Sequence, residues 1–432
     1  MSQIKWYNSF SEKERDRRWK LVRELMQNRG MDALLVLGVG FSPVDPGRGP
    51  QMQTIDRYLS GWVARCSVVF PLKGEPVLLG VPPETVLRWT PEFPKEELPW
   101  IEDVRAGEEG ETVVSTLKEK GLERGRVGVA LSGTSQRGRR LNATCYAVWD
   151  QVAKELPDCD LEDIRDGLLE LMMVKSEEEL TLFRRAAQAM EQATIAVVKT
   201  VRAGATELDI YLAIIRTLYE NGAIPSEPFI ASGPATTIPE GRLWNYGVGS
   251  PRVLEPGDVV NTGCIFAYVG GVEAQGQQSV AIPPVSPENA KCAQVAYECY
   301  EAGLRALRPG RLFKEVADAM LAPLEAAGGW NMFPLIHGLN PGVCGGFGSE
   351  ASERRKAEYY KEYYQRIQMD TAGRGGHRGG EVVLKPGMLF EFEPNCCLGR
   401  HRVNVGGNVI VTEKGAEPLN KMGTQMRIAG EA

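Results

Sequence analysis

The segment Lys385-Pro-Gly-Met-Leu-Phe-Glu-Phe-Glu-Pro394 constrains this chain more than any other. A Pro-Gly turn opens it, a proline closes it, and the residues between read as one short, strongly apolar strand. Side chains alternate along a strand, so Glu391 and Glu393 share one face while Phe390 and Phe392 share the other. A further apolar run, Val409-Ile-Val-Thr-Glu-Lys-Gly415, follows it closely. Carboxylates on so apolar a strand are costly to bury unless they pair, bind a ligand or move protons. Glu393 is then either an anchor for a cationic nitrogen or a proton-transfer group, and Glu391 either completes an acid/base pair or is simply solvated or salt-bridged.

Around that strand the composition is that of a folded globular protein: 43% of the 432 residues are hydrophobic and 25% charged, enough for one large or two medium cores. The net charge is −6 and no long basic run occurs, so no nucleic-acid partner is expected. The strongest local positive signal, Arg374 to Arg378 in a glycine-rich loop, is too small to track a phosphate backbone. No apolar run approaches the ~20 residues that cross a bilayer. The first residues soon become charged and lack an apolar signal core, so no membrane partner and a cytoplasmic location are expected. Nine cysteines form no CxxC pair, which favours reduced, packed thiols. With only three histidines, His337, His377 and His401, each is a candidate for chemistry.

Helix and strand signals alternate through about residue 165. Ser11-Glu-Lys-Glu14 reads as a capping box before Trp19, Val22, Leu25 and Met26 at helical spacing, with Gly30 as the stop. Ala33–Gly38 reads as a strand, Ser67–Phe70 and Pro76–Gly80 as a hairpin about Leu72–Glu75, and Arg126–Ala130 as another strand. This predicts an α/β first domain over 1–165. From Lys175 the pattern changes: Ser176–Glu179 opens a long helix, Thr206 to Asn221 a second, Ser286-Pro287-Glu288 a third and Lys314 to Ala327 a fourth. Glycine-rich strands lie between them, which predicts an α+β second domain over 166–432. Residues 342–380 read as an inserted helix with glycine-rich flanks, either an active-site lid or a surface excursion.

In this order and at these separations, Tyr58-Leu-Ser-Gly-Trp62, Val174-Lys-Ser-Glu-Glu-Glu179, Glu255-Pro-Gly-Asp-Val-Val260, His337-Gly338 and Lys385-Pro-Gly-Met388 resemble the landmarks of the creatinase/aminopeptidase P family. The resemblance implies a creatinase-type N-terminal domain, the first landmark being one of its strands, followed by a pita-bread catalytic domain. It implies a homodimer in which the partner's N-terminal domain closes the site. In metal-dependent members of this family, aspartates lie five and sixteen residues past the turn aspartate; from Asp258 those positions are Gly263 and Ala274. His337 matches the histidine ligand and Glu393 the first glutamate, whereas Gly406 replaces the last. A pair of divalent ions needs several carboxylates, so no metal and no other cofactor is expected. A shifted register using Asn261 and Glu273 is the alternative, for a single ion.

Creatinase is a metal-free precedent within the family, with a histidine as general acid/base twelve residues before the turn aspartate. Here that position is Tyr246, so creatine hydrolysis itself does not carry over. The catalytic candidates are Glu393, His337 and Tyr246. The substrate-binding candidates are Arg65 (offered to a substrate carboxylate across the dimer), Trp244 as an aromatic wall, Asn261, Glu273, His377 and Glu391; Gln277 shares a strand with Glu273. The expected activity is metal-independent hydrolysis of a C–N bond in a small amino-acid-like or amidine-like compound. The alternatives are a silent binding protein of the same fold and a lyase acting on a small onium compound.

Overall fold

The computed structural model describes residues 10–38, 54–62, 66–81, 98–107, 109–131, 146–235, 243–363 and 376–430. The chain divides into two compact units between Glu178 and Glu179, past the boundary expected at 165/166. The helix Arg165–Met173 packs with the first unit, and its buried Leu168, Leu169, Met172 and Met173 account for the later division.

The first unit contains α1 (Glu12–Arg29), β1 (Ala33–Leu37), α2 (Ile55–Ser60), β2 (Ser67–Pro71), β3 (Val77–Leu79), β4 (Asp103–Arg105), α3 (Glu109–Glu119), β5 (Arg126–Leu131), α4 (Tyr146–Glu155), β6 (Asp160–Asp163) and α5 (Arg165–Met173). Its strands form one sheet in the order β4-β3-β2-β1-β5-β6. Leu35, Val69, Val77, Val113, Leu117 and Val127 join sheet and helices in one core. The Ser11 hydroxyl caps α1 by accepting from the Glu14 amide, and Gly30 ends the helix in the left-handed conformation that glycine adopts without strain. Glu14 does not complete the capping box. It pairs with Arg17 and Arg18, while Glu178 accepts from the Ser11 amide at 3.0 Å. A second correction concerns Tyr58-Leu-Ser-Gly-Trp62, which forms the end of α2 rather than a strand. Six buried residues in a row carry no period that separates helix from strand; left-handed Gly61, its amide bonded to the Arg57 carbonyl, closes a helical turn.

The second unit contains α6 (Glu177–Thr200, whose first two residues fall before the division), α7 (Glu207–Glu220), β7 (Ile224–Pro225), β8 (Phe229–Gly233), a 3₁₀ turn (Leu243–Tyr246), β9 (Val259–Val269), β10 (Val272–Ala281), α8 (Pro287–Ala306), α9 (Phe313–Ala326), β11 (Ile336–Gly338), β12 (Gly345–Gly346), α10 (Glu350–Tyr363), β13 (His377–Arg378), β14 (Leu389–Phe392), β15 (Asn395–Leu398), β16 (His401–Asn404), β17 (Gly407–Thr412), β18 (Gly415–Pro418) and β19 (Arg427–Ile428). One sheet runs β19-β10-β9-β7, with β8 also on β9; another runs β13-β12-β11-β14-β17-β18; β15 and β16 form a hairpin. Ser286 with Pro287 opens α8 as expected, and Thr206 with Asp209 makes a reciprocal capping box on α7.

β14 lies inside its sheet, between β11 and β17, because its apolar face is anchored on helices. Phe390 stacks on Phe313 of α9 at 5.6 Å, and Phe392 meets Tyr300 of α8 edge-on at 5.7 Å. Each fully buried phenylalanine contributes about 1.5–3 kcal/mol. That burial offsets the cost of the two carboxyls on the opposite face.

Candidate active site

On β14 the register pairs Glu391 with His337 of β11 on one side and with Asn408 of β17 on the other. The imidazole of His337 reaches diagonally to the second carboxyl, its Nε2 lying 3.5 Å from Glu393 Oε1. Its other nitrogen, Nδ1, is 3.0 Å from the carbonyl oxygen of Gly338. A carbonyl only accepts, so Nδ1 carries a hydrogen and Nε2 is the atom turned to the acid. The other oxygen of Glu393 accepts from the Gln277 amide at 3.1 Å, and that amide also lies 3.5 Å from Cys264 Sγ. Glu393 is thus held by β10 and β11 together.

Glu391 has a different environment. It is fully buried, and neither carboxyl oxygen has a hydrogen-bond partner among the described residues. Burial, then the charges of Glu393 and Glu273, push its pKa well above the usual carboxyl range, so it is held protonated. The buried Tyr300 phenol is pushed up by its own burial first and by the charge of Glu391 second. The two carboxyls therefore differ in their surroundings: Glu393 is hydrogen-bonded to Gln277 and faces His337, whereas Glu391 has no such partner among the described residues.

Neutral amides fasten the surrounding strands. Asn408 of β17 takes the Gln275 amide at 3.0 Å and donates to the Gln275 carbonyl at 2.7 Å, tying β17 to β10. Asn261 of β9 donates to the Arg402 carbonyl at 3.1 Å and accepts from Ser279, and Asn404 of β16 donates to the Thr262 carbonyl at 3.0 Å. Glu273 is buried, its carboxyl accepts from Gln275, and its backbone oxygen takes the Asn340 amide at 3.0 Å.

Of the residues singled out from sequence, Glu393, His337, Glu391 and Glu273 come together, with Asn261 on the neighbouring frame. Trp244 gives its indole N–H to the buried Glu207 at 2.8 Å and meets Tyr211 edge-on, so its contacts are with α7 rather than with this cluster. His377 lies on edge strand β13, two strands from β11, and binds Asp318 at 2.9 Å. Arg65 and the side chain of Tyr246 lie outside the described residues. Sequence reasoning missed Arg402, a buried guanidinium on β16. Its available signal was the alternation in Arg402-Val-Asn-Val405, which turns Arg402 and Asn404 to one face.

The model of metallopeptidase family M24 matches residues 181–413. The chain belongs to that family, a hydrolase family with the creatinase/aminopeptidase P type of pita-bread fold. It is 23% identical to creatinase of Bacillus sp. (strain B-0618) over 72% of this chain and 69% of that protein. Against Xaa-Pro dipeptidase of Pyrococcus furiosus it is 22% identical, covering 61% of this chain and 67% of the relative. The crystal structure of dipeptidase PepE from Mycobacterium ulcerans superposes with a TM-score of 0.70 at 20% identity, covering 98% of this chain and 99% of that one.

The family name implies a metal, and the residues here do not fit the dinuclear centre. Among the described residues no group of three or more His, Cys, Asp or Glu is gathered to hold an ion. Gly263 and Ala274 have no side-chain donor, and Gly406 is closed to one. A Cβ at Gly406 would lie 1.9 Å from the Phe392 carbonyl oxygen and 2.7 Å from Gln277 Oε1. Gln277 occupies the space beside Gly406 with a neutral amide, where a pair of dications would need a further carboxylate. Among the described residues no helix is long and apolar enough to cross a membrane.

Proposed function

We propose that this M24 chain is a metal-independent hydrolase that cleaves a C–N bond in a small, polar, amino-acid-like or amidine-like compound. The observation that carries the reading is the Glu393–His337 pair: a carboxylate faces Nε2 of an imidazole whose Nδ1 is already a donor. Two lone pairs so placed repel, so the pair holds one proton, leaving an acceptor on Glu393 and a donor on His337. In the reaction, Glu393 accepts a proton from water as the water oxygen bonds to the substrate carbon, and His337 Nε2–H gives its proton to the departing nitrogen as the C–N bond breaks. The proton on Glu393 then returns to His337. Glu391, kept neutral, can donate a hydrogen bond without adding negative charge beside Glu393. Tyr246 is the second acid in this reading, and the active unit is a homodimer in which Arg65 serves the neighbouring protomer's site.

The test is amine or ammonia release from a panel of ureido, amidino and N-acyl amino acids by protein freed of divalent metal. Turnover that persists in chelator and disappears in Glu393→Gln supports the reading. Activity only after iron, manganese, cobalt or zinc is restored contradicts it, and no turnover on any compound that binds favours the silent binding protein.

A further inference from the structure

Arg402 is 2% exposed, and its Nε and Nη1 are enclosed with no hydrogen-bond partner among the described residues. No carboxylate stands within ion-pair distance of it there; Glu393 acts on it only from farther away. Its other neighbours cannot neutralise it. Cys397 is its antiparallel partner on β15, and burial pushes that thiol up to about 12, so it stays uncharged. Phe333 offers its ring at 5.7 Å, and Cys264 and Tyr360 complete the electrostatic surroundings. A guanidinium cannot shed its proton as a buried lysine can. An unpaired buried charge costs several kcal/mol, so a fold that retains one has a use for it or brings it a counter-ion.

The placement is built rather than incidental. The Asn261 amide fixes the Arg402 carbonyl, and Asn404, on the same face of β16, is tied to Thr262. Cys264 and Glu393, which the Gln277 amide joins, are among the groups whose charge acts on the guanidinium. Phe333 lies before the insertion and faces the guanidinium with its ring, and Tyr360 of α10, inside the insertion, acts on the same charge. We propose that Arg402 is the anchor for a carboxylate group of the ligand, so that the site takes an anionic or zwitterionic compound with its carboxylate on Arg402 and its reacting nitrogen toward Glu393 and His337. The inference rests on the reading of this cluster as a small-molecule site, and it assigns the residue that sets charge specificity there.

The experiment measures binding of N-carbamoylglycine and of its neutral amide by calorimetry to wild type, Arg402→Gln and Glu393→Gln. Wild type binds the carboxylate on the order of 30–100-fold more tightly than the amide, the range for a charge-assisted hydrogen-bonded contact. Arg402→Gln loses that discrimination, whereas Glu393→Gln keeps it or increases it, because the nearby negative charge is gone. Retained discrimination in Arg402→Gln overturns the assignment, and so does a wild type that binds both compounds equally or neither. Should Arg402→Gln not fold, Arg402→Lys, which keeps the charge and loses the planar fork, is measured in its place beside Arg65→Gln; discrimination unchanged in Arg402→Lys and lost in Arg65→Gln overturns the assignment. Normal turnover in Glu393→Gln overturns the hydrolytic mechanism while leaving the anchor intact, so the two failures are separable.

Discussion

A carboxyl enclosed as completely as that of Glu391 alters the pH dependence of folding. Its pKa is raised in the folded state by burial and by neighbouring acids, while in the unfolded chain it titrates near ~4.3. Below that value both states carry the proton and the group costs nothing. As pH rises, the unfolded chain releases its proton first, so stability falls. Glu391→Gln is therefore expected to melt at a higher temperature than wild type at about pH 7–8, with the difference closing toward about pH 4. Thermal scans across that range check it, and a constant offset contradicts it. Glu393 has ligands of its own, so Glu393→Gln should leave the melting temperature nearly unchanged and reduce turnover by ~10²–10⁴. Pairing of these two glutamates on one face was legible in the sequence, since strand alternation dictates it. Their differing surroundings were not, because burial and the Gln277 contact arise from β10, more than a hundred residues earlier.

At the scale of elements, the cross-sheet amide of Asn408 is the most exposed to test. It satisfies both backbone groups of Gln275 and meets Asn420 at 2.8 Å, so Asn408→Ala leaves buried donors and acceptors without partners. The expected cost is about 1–3 kcal/mol, read as a lowered urea midpoint with an unchanged slope. Helices α1 and α8 were legible because the signals at their starts, Ser11 and Ser286-Pro287, are local. The α2 helix was not, since its six residues are all buried and its turn is fixed by Gly61 against Trp100, a contact no local pattern announces. The helix expected in the insertion is present as α10, Glu350–Tyr363, and residues 364–375 of that insertion lie outside the described residues.

For the whole molecule, the family and its two-part organisation were legible from landmarks whose order a fold preserves, whereas Arg402 was hidden because an arginine in a strand looks like any solvated charge until its surroundings are known. Dialysis against a strong chelator should leave the melting curve of the full chain unshifted, because no described cluster ties metal occupancy to folding. A fall of several degrees, reversed by manganese or zinc, contradicts that expectation. The backbone at Gly406 carries the same logic to a single position. A glutamate introduced there meets the Phe392 carbonyl and Gln277 before its carboxylate can reach anything. A carboxylate at this position would require the strand itself to shift, so the hydrogen in place of a side chain fixes the local path of the backbone as firmly as a packed side chain would.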